Sequence, residues 1–196
     1  MTGAVVKTES GESISMIGGH QVQVSREGST AGRTVVLLDA LPNETSQYQG
    51  VLARLQVAKV RTVVIASDGP AAAKAVIGIL DALGVQCAVL VGARDDAETA
   101  WTTTAHHPER IIGLVVVDRG RAKAPNMTCT ICQEHCPPVF TDTTALVSTA
   151  AAKSIAQASR RHVHGDFRIA ELVGRRGSRD FTAQLSTEII LRSLSV

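Results

Sequence analysis

The residues with the clearest chemical potential lie in a turn between two apolar segments, Gly92-Ala93-Arg94-Asp95-Asp96. Ala88–Val91 before the turn is a short apolar run, and Asp95–His106 contains neither Gly nor Pro and is predicted to be a helix. Ile111–Val117 then forms a long, β-branched run, as expected of a strand buried on both faces. The stretch therefore predicts two parallel strands joined by a helix. The turn after the first strand is where such sheets place their chemistry.

A second candidate site is the motif Cys129-x2-Cys132-x2-His135-Cys136. Zinc takes four nitrogen or sulfur ligands, and a C-x2-C pair supplies two of them from one tight turn. His135 or Cys136 could be the third ligand, and the fourth could come from His107, His162 or His164. The alternative is that Cys136 is a buried residue at the start of a strand and that Cys129 and Cys132 are free thiols or a redox pair. The expectation is therefore either no cofactor or zinc.

The elements that position these residues are predicted from hydrophobic periodicity and turn residues. Helices are expected at Ser46–Gln56, Ala71–Leu83, Asp95–His106, Thr149–Arg160 and Thr182–Leu194. Strands are expected at His20–Ser25 (an antiparallel edge strand), Thr34–Leu38, Thr62–Ala66, Ala88–Val91, Ile111–Val117, Val139–Thr141 and Phe167–Val173.

The segments AVLVG and HPERIIGLVVVD, on either side of the predicted helix, resemble the nucleophile-elbow region of the α/β-hydrolase family, and ILDALGV extends the resemblance. That family carries a reactive Ser in G-x-S-x-G on a strained strand-to-helix turn. The resemblance covers roughly Thr34 to the last residue. It implies one α/β-hydrolase-like domain over residues 1–196, in which residues 1–19 are flexible or an edge strand. The implied fold is an α/β three-layer sandwich with a mostly parallel, doubly wound sheet and no lid domain.

The elbow and triad positions depart from the family pattern. Arg94 stands where the nucleophile belongs, and Asp96 replaces the second Gly. The family's acid follows a strand expected near Phe140. Asp142 is close to that point, although Thr144 takes the expected place. The family's His lies before the last helix, where this chain reads Gly-Ser-Arg-Asp-Phe and Asp180 is the acidic residue. Without an imidazole base, a hydroxyl is not deprotonated efficiently near neutral pH.

The loop Asp39-Ala40-Leu41-Pro42 stands where the family often carries His-Gly-x-Pro, whose backbone N–H groups help to form the oxyanion hole. Only Pro42 is kept. The carboxylate of Asp39 would oppose a negative oxyanion at this place, because like charges repel at short range. The alternative is that Asp39 is an ordinary loop or N-cap residue.

Two further interpretations concern the elbow. In epoxide hydrolases and haloalkane dehalogenases of this superfamily the nucleophile is an Asp, and a shift of one residue would give Asp95 that role. Otherwise Asp95 and Asp96 are first-turn carboxylates that the helix dipole favours. Arg94 either binds a small anionic ligand at the helix N-terminus or pairs with Asp39 or Asp95 and seals a dead pocket. Sealing is the preferred interpretation.

The composition bears on nucleic-acid binding, membrane association and cellular compartment. The 196 residues carry a net charge of +2 without a basic block, and only five residues are Phe, Trp or Tyr. Nucleic acid is therefore not expected as a partner. No apolar run approaches ~18 residues, so no membrane partner is expected. The N-terminal segment lacks the apolar core of a signal peptide and the cysteines are few, which indicates a cytoplasmic protein.

The preferred hypothesis is a catalytically degenerate α/β-hydrolase-like protein that acts in binding or assembly, with a homodimer as a possible state. The first alternative is a small lidless hydrolase of esters or epoxides that uses Asp95 or an unrecognised nucleophile. The second is a zinc- or redox-responsive module that uses Cys129, Cys132 and Cys136.

Overall fold

A computed structural model describes residues 6–7, 13–17, 20–29, 32–40, 45–67, 73–119 and 136–194. One nine-stranded sheet runs through them in the order β1-β2-β3-β5-β4-β6-β7-β8-β9. The strands are β1 Val6–Lys7, β2 Ser13–Ile17, β3 His20–Glu27, β4 Thr34–Ala40, β5 Arg61–Ser67, β6 Ala88–Ala93, β7 Ile111–Val117, β8 Thr143–Val147 and β9 Phe167–Glu171. The helices are α1 Thr45–Val57, α2 Ala73–Ala82, α3 Asp95–His106, α4 Ala150–Ser159 and α5 Arg179–Leu194.

The sheet is mostly parallel. Strands β5, β4, β6, β7, β8 and β9 pair in parallel, and β1, β2, β3 and β5 pair antiparallel. The antiparallel pairing expected of His20–Ser25 is confirmed, but its place at the sheet edge is wrong. β3 pairs with β5 on one side and with β2 on the other. The two outer strands come from residues within the segment that was expected to be a flexible or edge-strand lead-in.

Helices cover both faces of the sheet, which confirms the three-layer arrangement. Because successive side chains of a strand point to opposite faces, neighbouring residues of one strand enter different cores. Val36 of β4 packs in the core that α2, α3 and α4 cover, which includes Val76, Leu80, Trp101 and Ala156. Val35 packs in the core that α1 and α5 cover, which includes Val51, Leu55, Phe181, Leu185 and Ile189. All seven residues of β5 are buried, as expected of a strand covered on both faces.

The predicted bounds of α3 and β7 agree with the structure. The strand that was expected to begin at Val139–Thr141 begins later, because Val139 forms only an isolated bridge with Val163 and β8 starts at Thr143. The last helix begins three residues earlier than expected. The Ser178 hydroxyl accepts a hydrogen bond from the Phe181 N–H at 3.2 Å, which caps the helix and fixes its start.

The fold implied by the sequence has no lid domain, and the connection between β7 and β8 is where a lid would lie. Its residues 120–135 lie outside the described part of the chain. Among the described helices, none has the length and apolar character that crossing a membrane requires.

A buried arginine ties the last helix to the amino ends of β8 and β9. Arg192 donates to the Thr144 hydroxyl at 2.7 Å and to the Thr143 carbonyl at 3.3 Å. Its guanidinium also pairs with Asp166 at 2.9 Å and with Asp142 at 3.5 Å. Asp142 in turn accepts a hydrogen bond from the Asp166 N–H at 2.8 Å. Burying a charge is costly unless the charge is paired and hydrogen-bonded, so these partners stabilise the buried guanidinium.

We expect Arg192→Met to lower the free energy of unfolding by about 2–3 kcal/mol, because it breaks a hydrogen-bonded network around a buried charge. The matched control is Lys153→Met. Lys153 pairs with Glu171 at 2.6 Å, but both side chains are largely exposed, and such a pair contributes less than about 1 kcal/mol. Urea unfolding of both variants measures the difference. Equal losses would contradict the structural role of Arg192.

Candidate functional site

The turn from β6 into α3 has a strained backbone. Arg94 has φ 54° and ψ −115°, a conformation that residues with a Cβ rarely adopt and that costs about 1–3 kcal/mol. Its N–H donates to the Val117 carbonyl of the neighbouring strand at 2.9 Å. Its carbonyl accepts from the Ala97 N–H at 3.2 Å, which starts α3. Arg94 is therefore the corner residue of a sharp strand-to-helix turn.

Gly92 makes this turn possible. A Cβ on Gly92 would lie 2.4 Å from the Asp96 carbonyl oxygen and 2.8 Å from the Ala100 Cβ. These distances are far below van der Waals contact, so the first turn of α3 packs directly on the β6 backbone. A side chain at this position would push the helix away and change the direction in which Arg94 points.

The Arg94 side chain is exposed. The interpretation of Arg94 as a seal that pairs with Asp39 or Asp95 stays a prediction. Asp39 is buried near the end of β4. Leu37 of that strand pairs with Val91 of β6, so Asp39 and Ala40 lie at the same sheet edge as Arg94. Asp95 is exposed and is the first residue of α3, whereas Asp96 is half-buried.

A second polar cluster lies beside this corner, at the ends of β7 and β8. The Asp118 carboxylate accepts hydrogen bonds from the Ser148 N–H and from the Ser148 hydroxyl, both at 2.7 Å. Arg176, from the loop between β9 and α5, approaches the same carboxylate at 3.5 Å. Both charged side chains are mostly buried, with 18% and 16% of the side chain exposed. Asp118 has a φ of 50°, so its backbone is also in the left-handed region.

This cluster adjoins the elbow through the backbone. The Arg94 N–H binds the carbonyl of Val117, the residue directly before Asp118. Sequence reasoning missed Asp118, Ser148 and Arg176. The available signal was Asp118 itself, a carboxylate directly after the buried run Ile111–Val117, where parallel strands present their chemistry. Ser148 and Arg176 gave no local signal.

The structure does not bring all the predicted site residues together. Asp142 precedes β8 and contacts Arg192, so it lies at the amino edge of the parallel strands, whereas Arg94 lies at their carboxyl edge. This corrects its assignment as the acid. The residues that do follow β8 are Ser148 and Thr149, and Thr149 caps α4 by accepting from the Ala152 N–H at 3.1 Å. Asp180 is exposed in the first turn of α5.

Comparison with known proteins was made at the level of sequence and of structure. No protein-family model matches the chain, and no curated protein sequence matches it. Solved structures do match. A protein described as a CIB-like hydrolase, from Thermoplasma acidophilum, aligns with a TM-score of 0.68 and 14% identity over 98% of this chain and 100% of its own.

Two more solved structures match this chain, and their descriptions name different activities. A protein described as an epoxide hydrolase, from Klebsiella pneumoniae, has a TM-score of 0.69 and 13% identity, and covers 98% of this chain and 97% of its own. The enol-lactonase from Burkholderia xenovorans has a TM-score of 0.66 and 15% identity, and covers 93% of this chain and 100% of its own. This chain has the α/β-hydrolase fold. Identities this low establish the fold, not the reaction.

Histidine is the usual base in this fold, and the described histidine side chains lie away from the elbow. His106 and His107 lie at the end of α3, and His162 and His164 precede β9. The loop before the last helix, where the resemblance places the base, instead contributes Arg176 to the Asp118 cluster. A guanidinium remains protonated at every accessible pH and cannot act as a base.

The predicted metal motif falls mostly outside the described residues, which include only Cys136 of its four ligands. Cys136 is half-buried and does not belong to a strand. The Arg119 guanidinium donates to its Sγ at 3.3 Å. Within the described part of the chain, no three His, Cys, Asp or Glu side chains form a group that could hold a metal. Zinc at Cys129, Cys132, His135 and Cys136 stays a prediction.

Arg119 organises the surface around Cys136. It lies 3.8 Å from the Trp101 ring centroid, pairs with Glu98 at 3.2 Å and donates to the Ser159 hydroxyl at 2.8 Å. His162 lies close enough to be affected by this charge. Burial lowers the pKa of His162 below its ordinary value of 6.5, and the charges of Arg161 and Arg119 and the nearby His164 lower it further. Arg161 also donates to the His162 Nε2 at 3.1 Å, which requires that nitrogen to be unprotonated.

We expect the folded state to lose stability as the pH falls below the ordinary histidine value of 6.5. The unfolded chain then binds a proton at His162 that the folded chain resists, so protonation favours unfolding. The His162→Gln variant should show a flatter dependence of unfolding free energy on pH, measured by urea unfolding between about pH 7.5 and 5.5.

His106→Gln serves as the control, since it also removes one imidazole. Its ring contacts the Thr102 carbonyl on the exposed end of α3, away from Arg119 and Arg161. If His106→Gln flattens the pH profile as much as His162→Gln does, the effect does not come from the Arg119 surroundings.

Proposed function

We propose that this protein is a non-hydrolytic member of the α/β-hydrolase fold class that acts by binding. The observation that carries the proposal is Arg94 at the corner of the elbow, with φ 54° and an exposed side chain. In an active enzyme of this fold, that corner presents the nucleophile. A permanently protonated guanidinium has no lone pair with which to attack a carbonyl or an epoxide.

The neighbouring positions support the same proposal. A working triad requires an acid that orients an imidazole, and the imidazole must reach the nucleophile. Here Asp118 is engaged by Ser148 at 2.7 Å and by Arg176 at 3.5 Å. The carboxylate beside the elbow therefore binds a cation and a hydroxyl, in an arrangement that holds the loop before α5 in place.

The alternative function is hydrolysis of an ester or epoxide with Asp95 as nucleophile. The likeness to a protein described as an epoxide hydrolase favours it, as does the exposure of Asp95 directly after the elbow. The backbone does not favour it, because the strained corner falls on Arg94 and Asp95 begins α3. At that position the helix dipole stabilises a carboxylate without any catalytic role.

The ligand we propose for the elbow is a singly charged acidic group, a carboxylate on a small molecule or on a partner protein. Arg94 presents five N–H donors on a rigid fork, beside the N-terminus of a twelve-residue helix. The first turn of α3 also carries Asp95, Asp96 and Glu98, of which Glu98 is bound to Arg119 at 3.2 Å. These carboxylates select against ligands of high negative charge. The expected homodimer stays a prediction, which the mass of the protein in solution would test.

The first test of the proposal is turnover. We expect the protein to hydrolyse short acyl esters and a small epoxide no faster than the buffer does. Asp95→Asn should give the same low rate, because Asp95 performs no chemistry. Turnover by the wild-type chain that disappears in Asp95→Asn would establish the hydrolase alternative and overturn the binding proposal.

The second test is binding at the elbow. Acetate, the singly charged probe, should raise the melting temperature of the wild-type chain at constant ionic strength, and Arg94→Ala should reduce this rise, because the guanidinium is lost while the backbone stays in place. Arg175→Ala is the matched control, since Arg175 is an exposed arginine near the same sheet edge. An unchanged acetate response in Arg94→Ala would refute the anion-binding role of Arg94.

A further inference from the structure

A cavity of about 410 Å³ opens at the amino edge of the parallel strands, at the opposite end of the sheet from the elbow. Thr34 and Arg61 are the first residues of β4 and β5 and face each other in the strand register. Gln86 and Cys87, which precede β6, and Arg33, which precedes β4, complete its polar wall. The cavity therefore lies where the amino ends of three adjacent strands meet.

Arg61 is the unusual residue in this wall. It is only 8% exposed and it lines the cavity. No hydrogen bond or ion pair joins its guanidinium to another residue in the described part of the chain. Its guanidinium nitrogens are not fully enclosed by protein and reach the cavity, where a permanent positive charge without a protein partner favours a negatively charged ligand. Arg192 is equally buried, but its guanidinium has four partners in the chain.

None of the residues that line the cavity is acidic. Its wall also includes Val85 and Gln86, whose carbonyls accept from Arg110 at 2.9 and 2.7 Å. Asp81 is bound to the same Arg110 at 2.7 Å. The Arg33 guanidinium donates to the Ser193 carbonyl and adds a second positive charge to the cavity.

We propose that this cavity is a binding site for a small oxyanion, a carboxylate or phosphate group, which Arg61 binds through its planar fork with Arg33 beside it. Arginine matches both groups because two parallel N–H donors meet two oxygens. The bound anion supplies the countercharge that the fold itself omits. This site is separate from the elbow, and it does not depend on the proposal made for Arg94.

The test compares Arg61→Met with the wild-type chain and with Arg94→Ala, using inorganic phosphate in one arm and succinate in the other, each against chloride at equal ionic strength. Methionine keeps the apolar stem and removes the charge. Without anion, Arg61→Met should melt at the same temperature as the wild type or higher, because no partner is lost. The first-turn carboxylates of α3 disfavour doubly charged probes at the elbow, so the rise in melting temperature produced by phosphate or succinate should disappear in Arg61→Met and persist in Arg94→Ala. The arm with the larger effect identifies the oxyanion.

A second measurement uses the wild-type chain alone and decides the question if Arg61→Met does not fold. Cys87 is an exposed free thiol in the cavity wall, so a bound anion should shield it. Alkylation of Cys87 by neutral iodoacetamide, followed by peptide mass spectrometry, should become several-fold slower with phosphate or succinate than with chloride. Either an anion response kept by Arg61→Met, or the absence of both stabilisation and Cys87 protection, would overturn the proposal. A response lost only in Arg94→Ala would do the same and assign the anion to the elbow.

Discussion

The contact on which the rest of the site depends is the close approach of α3 to β6 at Gly92. With no side chain there, the Asp96 carbonyl and the Ala100 methyl group lie where a Cβ would be. The chain can then turn within one residue from strand to helix, and Arg94 absorbs the turn with a positive φ. Strain of this kind persists only when the surrounding structure holds it. Here the Val117 carbonyl, Ala97 and the packing of Trp101 all do so. The sharp strand-to-helix turn is thus held in place with an arginine at its corner.

The carboxyl edge of the sheet also carries a polar cluster beside the elbow. Asp118, Ser148 and Arg176 come from the ends of three consecutive strands and join in one cluster beside the elbow. The Asp118 carboxylate accepts two hydrogen bonds from Ser148, whereas Arg176 approaches it at 3.5 Å as an ion pair without a hydrogen bond. The strained elbow and this cluster therefore lie side by side at the carboxyl edge of the sheet. In general, fold and function are set by different residues.

Two buried arginines at the amino edge of the parallel strands have different surroundings. Arg192 satisfies its donors with Thr144, Thr143, Asp142 and Asp166, and so joins α5 to the outer parallel strands. Arg61 lies at the same edge but lines a cavity that contains no carboxylate. Since desolvation of a guanidinium is costly in either place, the difference lies in what supplies the countercharge. In one case it is the chain itself, and in the other we infer a ligand.

The sequence by itself determined the succession of helices and strands from β3 to β7, the bounds of α3 and β7, and the presence of Arg94 after a buried strand. These follow from local periodicity and from residues that favour turns, which short stretches of chain encode. It did not determine that β3 lies inside the sheet. That position depends on the pairing of β3 with β2, whose hydrophobic pattern is weak. Only the tertiary structure decided that Asp142 belongs with Arg192, that Arg176 reaches Asp118, and that Arg61 lines a cavity. Each of these depends on residues distant in the chain, and hydrogen bonds and ion pairs between such residues leave no periodic trace in a single sequence.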